Sequence, residues 1–285
     1  MLRSGFGAST AKSFSSTIGA GKQNIADRSV GADNAIRSIC GEDIATWLDA
    51  GHLERVMGVT DAAAVDQWPA KEGVSTATQS TSGKRPVMDV DGFNNRPAVL
   101  FDSSNDVLHW AAGGLIDTNI AANTLIAVNS SANDGGNAML FEMGASYQSD
   151  DNLGQYYNGS NKFVSGMGAA SGTDEDEGTS TSCCPNILNV CVSTFDRAPN
   201  PNVIETYINS VQATVTGAEE GNAGATTDWE NNAAYLGARN NGASLPFNGH
   251  IREFLVLTRA LTVGEACRIS QALMNKSGIT LKYVD

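Results

Sequence analysis

The amino-acid sequence predicts an all-β chain: a two-sheet antiparallel β-sandwich preceded by an extended N-terminal arm and closed by one C-terminal helix. Three observations lead there. Glycine is abundant, with 30 among 285 residues, and short apolar runs are divided by Asn, Asp, Ser and Gly, the texture of many short strands. Segments such as VIETYI (203–208) alternate apolar and polar positions, which buries one face of a strand and leaves the other wet. Convincing helical punctuation occurs in one place, near the C-terminus.

The elements follow in order. Residues 1–36 are rich in Gly, Ser and Ala, with isolated apolar points at Leu2, Phe6, Phe14 and Ile18 and basic points at Arg3, Lys12, Lys22 and Arg28. Ordering such a stretch costs about 1–2 kcal/mol of backbone entropy per residue, more than its own apolar surface returns. It reads as an anchoring arm whose partner contacts are Leu2, Arg3, Phe6, Phe14 and Ile18, with residues 37–285 as the sandwich. From Ile44 the apolar pattern tightens, and Trp47 and Trp68 are expected in the core. Pro97 opens an extended strand through Val99, Leu100 and Phe101, with Phe101 inward, Asp102 outward and a turn at 103–106.

Residues 125–128 and 138–143 read as strands joined by an Asn/Asp/Gly loop. The stretch 165–182 carries four consecutive acids, 174–177, and reads as an exposed loop because like charges repel and stay wet. Strands resume at 187–195, at 203–208, near Tyr235 and at 251–257, with Asn248-Gly249 expected to form a tight turn. Thr262 then suits an N-cap with Glu265 three residues on, and Gly278 ends a helix whose Cys267, Ile269, Leu273 and Met274 face the core.

The formal charge of −13 would repel a phosphate backbone, so nucleic acid is not an expected partner. No apolar run reaches the length of about 18 residues that crosses a bilayer, and the first 21 residues lack the apolar centre of a signal peptide, so neither a membrane partner nor Sec-type export is expected. Five cysteines at irregular spacing imply no disulfide framework and fit a reducing compartment. Cys183, Cys184 and Cys191 lie close in sequence, but His52, His109 and His250 are scattered and no paired CxxC accompanies them, so no structural metal cluster is expected.

The ordered pieces WLDAGHL (47–53), VDQWPAKEG (65–73), NNRPAVLFDSSNDVL (94–108) and YLGARNNGASLPFNGHIREFLVLTRALTVGEACRISQALMNKSGITL (235–281) resemble the concanavalin A-like, laminin G-like jelly-roll domains. Such domains occur in bacteriophage virion proteins, decoration or tail, and in secreted bacterial surface proteins. The resemblance spans about residues 40–281 and implies a jelly roll. It implies calcium as the one candidate cofactor, held by Asp102, Asn105 and Asp106 or by Asp150 and Asp151, although Asx-turn chemistry explains the same letters. It implies sugar binding in some members, which needs an exposed aromatic platform, for which Tyr147, Tyr156, Tyr157 and Trp229 are the candidates.

Glycoside hydrolysis needs two carboxyl groups about 5–10 Å apart across a cleft. Asp89, Asp91, Glu142 and Glu205 form no convincing pair, so no catalytic residue and no enzyme activity is expected. The expectation is a bacteriophage capsid decoration protein in the virion, bound through its arm to the major capsid protein, to another virion protein or to copies of itself as a homo-oligomer. The alternatives are a tail-fibre or receptor-binding lectin-like module that reads host surface glycans, and a polysaccharide hydrolase.

Overall fold

The computed structural model describes residues 25–116, 120–132, 136–144, 152–160, 162–168, 186–198, 203–213, 229 and 231–279. Sixteen strands form two antiparallel sheets packed face to face, and helices cover one outer side. The nine-stranded sheet contains β1 (Ile44–Asp49), β3 (Glu72–Gly73), β5 (Val87–Asp89), β6 (Ala98–Asp102), β8 (Ala122–Ser131), β12 (Asn189–Asp196), β13 (Val203–Ile208), β14 (Val211–Gln212) and β16 (Asn248–Leu257). Its order is β14-β13-β12-β8-β16-β1-β3, with β6 and β5 attached along the other half of β16. The seven-stranded sheet runs β11 (Phe163–Met167), β10 (Leu153–Tyr157), β9 (Ala138–Met143), β15 (Ala234–Leu236), β7 (Leu108–Trp110), β4 (Ala77–Thr78) and β2 (Gln67–Trp68).

Aromatic side chains fill the space between the sheets. Phe141 and Phe254 stack at 5.1 Å across it, and Phe101 meets Phe247 edge-on at 6.2 Å. Each such ring contributes about 1.5–3 kcal/mol by leaving water. A polar chain also crosses this interior. Gln155 Nε2 donates to Ser193 Oγ at 2.6 Å, the Ser193 and Ser165 hydroxyls share a 2.6 Å bond, and Thr206 Oγ1 donates to Ser165 Oγ at 2.7 Å. Its four members come from β10, β12, β11 and β13 and are buried.

The expected strands are present, and so is the terminal helix α3 (Val263–Ser277), with the full Thr262–Glu265 capping box and Gly278 in the left-handed conformation at φ 69°. Asn248-Gly249 differs from expectation. It is the start of β16, not a turn: Gly249 pairs with Phe101 on one side and Ser131 on the other. Its φ of 149° and the Ser130 carbonyl oxygen, 2.0 Å from where a Cβ would stand, explain the glycine as a close backbone approach.

Two helices were not foreseen. α1 (Ile25–Cys40) runs across the arm boundary expected at residue 36, and α2 (Ala50–Met57) follows β1 directly, N-capped by Asp49. From residue 29 on, α1 buries Asp33 and a narrow apolar stripe, Ala32, Ile36 and Cys40 at four-residue spacing, the stripe against α3 and the outer face of the nine-stranded sheet. The expected arm contacts Leu2, Arg3, Phe6, Phe14 and Ile18 lie outside the described residues.

Charges fasten the helices to that sheet. Lys276 of α3 places its ammonium 2.8 Å from Asp33 of α1, 2.8 Å from Asp49 of β1 and 2.8 Å from Glu253 of β16. Lys71 pairs with Asp33 and, at 3.0 Å, with Asp49. Trp47 lies at the centre, donating to Glu253 at 3.0 Å and carrying Lys71 over its ring at 4.2 Å. Among the described residues no helix is long and apolar enough to cross a membrane.

Candidate functional site

Alternation along each strand of the seven-stranded sheet sends one side chain into the sandwich and the next to the outer face. In β7, Leu108 and Trp110 enter the core, so His109 faces out; in β15, Ala234 and Leu236 enter, so Tyr235 faces out. The same alternation sends Gln67, Thr78 and Glu142 outward. Strand register then aligns them. Gln67, Thr78, His109, Tyr235, Glu142, Gly154 and Gly166 stand directly opposite one another, one from each of the seven strands.

Gln67 is exposed, Thr78, His109 and Tyr235 are half-buried, and Glu142 is fully buried. The His109 and Tyr235 rings lie 6.4 Å apart, tilted by 33°. A bulge in β9 turns both Leu140 and Phe141 inward and leaves Met139 and Glu142 on the outer side. Arg239 Nε donates to Glu142 Oε1 at 3.0 Å, with the arginine side chain 21% exposed. The loop that carries Arg239 turns through Asn240, Asn241 and Gly242, all at positive φ, and Lys84 holds the Asn241 carbonyl at 2.8 Å. Leu245, also at positive φ, returns the loop to the sheet against Met139, Tyr156 and Val164.

This face offers two adjacent ring faces, an amide, a hydroxyl and a guanidinium anchored by a carboxylate. Ring faces pack against the C–H surface of a sugar, and the polar groups supply donors and acceptors for its hydroxyls. A separate cavity of about 470 Å³ is lined, among the described residues, mainly by Ala45, Val74, Gly114, Leu115, Ile116 and Asn231, none of them titratable.

The aromatic platform therefore differs from the one expected. Tyr147 lies outside the described residues. Tyr156 faces outward but is only 5% exposed beneath Leu245. Tyr157, next along the strand, must point the other way, and its hydroxyl donates to Asn129 in the core at 2.7 Å. Trp229 is buried with the Arg197 guanidinium 5.1 Å from its ring. His109 and Tyr235 were missed because each lies in a three-residue strand, where the signal is only the polar aromatic between two apolar neighbours.

The expected calcium ligands form a self-closed turn. Asp102 Oδ1 accepts from the Ser104 amide at 2.9 Å, and Asp106 Oδ2 accepts from the Asp102 amide at 3.0 Å. Burial, with the neighbouring Asp102 carboxylate, pushes the Asp106 carboxyl up to about 6. With Asn105, this set falls short of the six or more oxygens calcium takes and does not fit the ion. Asp150 and Asp151 lie outside the described residues. Among the described residues the three acids whose oxygens approach within 4.8 Å of one another are Asp33, Asp49 and Glu253, and the Lys71 and Lys276 ammoniums sit among them.

Asp89 bonds His250 at 2.9 Å, and Glu205 accepts from Tyr207 at 2.8 Å on the opposite sheet from Glu142. Cys40, Cys191 and Cys267 are free thiols in three separate places; Cys183 and Cys184 lie outside the described residues.

No protein-family profile and no curated protein sequence matches the chain. Solved structures do. The Trypanosoma rangeli sialidase in complex with sialic acid superposes with a TM-score of 0.58 at 14% identity, covering 90% of this chain and 40% of that one. The same enzyme in complex with 2,3-difluorosialic acid, a covalent intermediate, gives 0.57 at 15% identity, covering 87% and 38%. A mutant displaying trans-sialidase activity gives 0.50 at 14% identity, covering 89% and 38%. At that identity the likeness establishes a shared β-sandwich fold, and the chain spans about two-fifths of the sialidase chains.

Two expectations are corrected by this result. The bacteriophage decoration reading is overturned, because the solved structures named above are sialidases. The non-enzyme reading rested on the missing carboxylate pair, and sialidases stand outside that rule because their nucleophile is a tyrosine. The absent pair is no argument against glycan chemistry.

Proposed function

We propose that the chain is a glycan-binding module, a sandwich of the concanavalin A/laminin G-like type that takes sugar on the outer face of its seven-stranded sheet. The observation that carries this is the His109–Tyr235 platform beside the Glu142–Arg239 pair, aligned by strand register. The kinship of fold with sialidase structures, one of them holding sialic acid, supports the same direction. Tyr235→Ala and His109→Ala should each lower affinity on a glycan array and in calorimetry by about tenfold, the loss of one stacked ring. Binding that survives both substitutions unchanged counts against this surface.

One observation favours a processing role for the same face: Tyr235 lies directly opposite Glu142. A tyrosine nucleophile needs a neighbouring base, and Glu142 is a carboxylate held by Arg239. Release of the fluorophore from a 4-methylumbelliferyl sialoside, lost in Tyr235→Phe while glycan affinity persists, is the outcome this reading requires.

A further inference from the structure

The row on the outer face has a length and a direction as well as a composition. From Gln67 to Glu142 it crosses five strands, four inter-strand steps of about 4.8 Å each, or about 19 Å in all. Each step is close to the advance of one pyranose unit in an extended chain. The row offers one group able to engage a sugar at each step: the Gln67 amide, the Thr78 hydroxyl, the His109 and Tyr235 rings, then the Arg239 guanidinium held over β9 by the buried Glu142. The direction comes from burial. Gln67 is exposed, the next three are half-buried and Glu142 is 0% exposed, so the row is open at one end and closed at the other. Beyond Glu142 the register continues with Gly154 and Gly166, which present no side chain to a ligand.

From this juxtaposition, and resting on the glycan-binding reading, we infer that the face binds a linear oligosaccharide laid across the strands. Its terminal unit sits at Glu142–Arg239 and the following units extend over Tyr235, His109 and Thr78 to Gln67. A chain of about four units fills the row. A single sugar or a branched cluster uses only part of it.

The probes are size ladders of cello-, laminari- and α-2,8-linked sialic acid oligosaccharides, from monosaccharide to hexasaccharide, titrated calorimetrically against the full chain. Affinity should climb with each unit to the tetrasaccharide and then level. Gln67→Ala, an exposed position where folding is not at risk, should weaken the tetrasaccharide and hexasaccharide by roughly two- to tenfold, one hydrogen bond, and leave the disaccharide unchanged. If the monosaccharide binds as tightly as the hexasaccharide and Gln67→Ala is silent at every length, while Tyr235→Ala still weakens binding, the chain inference is overturned and the binding surface stands. If no ladder binds at any length, both are overturned.

Discussion

Lys276 and Glu253 lie 2.8 Å apart with side chains 2% and 0% exposed, and that contact ties the last turn of α3 to the central strand of the larger sheet. Burial alone would lower the Lys276 ammonium and raise the Glu253 carboxyl. For Lys276, Glu253, Asp49 and Asp33 outweigh burial and hold it above the usual lysine range, while Glu253 stays raised because its burial exceeds what Lys276 returns. Lys276→Met removes one cation from three buried carboxylates. The expected cost is about 3–5 kcal/mol in urea unfolding at neutral pH. Trp47 fluorescence should report the change because its indole donates to Glu253. A loss below 1 kcal/mol would show the cluster to be dispensable.

Two acids respond to pH with opposite sign. Asp106 is raised from 3.8 to about 6 by burial, so its contribution favours the fold at low pH and is lost as pH rises through about 6. Asp106→Asn should therefore stabilise the protein at pH 7 by about 1–2 kcal/mol and change little at pH 4. Asp49 goes the other way. Burial would raise it, but Lys276 and Lys71 hold it well below its ordinary 3.8, so its contribution is present above that value and lost as pH falls below it. Asp49→Asn should be costly at pH 7 and progressively less so on acidification. Paired denaturation curves at pH 7 and pH 4 check the sign for Asp106, and curves carried from pH 4 down to about pH 2 check it for Asp49.

Gly249→Ala should be among the most damaging single-atom additions in the chain. The new Cβ would meet the Ser130 carbonyl oxygen at 2.0 Å where β8 and β16 pair, and φ 149° already disfavours a side chain. A loss above about 2 kcal/mol is expected in thermal or denaturant unfolding. Gly264→Ala, where a Cβ meets nothing within 4 Å, is the matched control and should be neutral or mildly stabilising.

Tyr157→Phe separates the buried tyrosine from the platform. It removes the bond to Asn129 and the longer contact with Cys191 Sγ at 3.9 Å, and should cost about 0.5–1.5 kcal/mol of stability. Glycan affinity should not change. A variant that keeps its stability and loses affinity would return Tyr157 to the binding surface.

Local pattern made the sandwich legible: the alternation of VIETYI became β13, and the capping residues Thr262, Glu265 and Gly278 bound α3 as read. α1 was hidden because IADRSVGADNAIRSIC has few apolar residues, and its docking depends on Asp33 meeting lysines 38 and 243 positions away. Gly249 looked like a turn because Asn-Gly is turn chemistry, whereas the deciding contact, with Ser130, is long-range. The site escaped for the same reason. Thr78, His109, Tyr235 and Glu142 are separated by dozens of residues and become neighbours only through register, while Tyr156 and Tyr157 drew attention by adjacency, which in a strand guarantees opposite faces.

The hydroxyl and amide chain inside the sandwich works as a combination lock. Gln155, Ser193, Ser165 and Thr206 bring one tumbler from each of four strands, and the run of bonds from β10 to β13 is complete only when all four strands hold their places. A one-residue slip of β12 would turn Ser193 to the opposite face and take a bond from two buried partners, Gln155 and Ser165, at about 1–3 kcal/mol each. An oily core tolerates sliding because one methyl is much like another. These four residues make the correct pairing distinguishable from its near neighbours, so β10 and β11, which extend the outer row beyond Glu142, take their alignment from groups shared with β12 and β13 of the facing sheet.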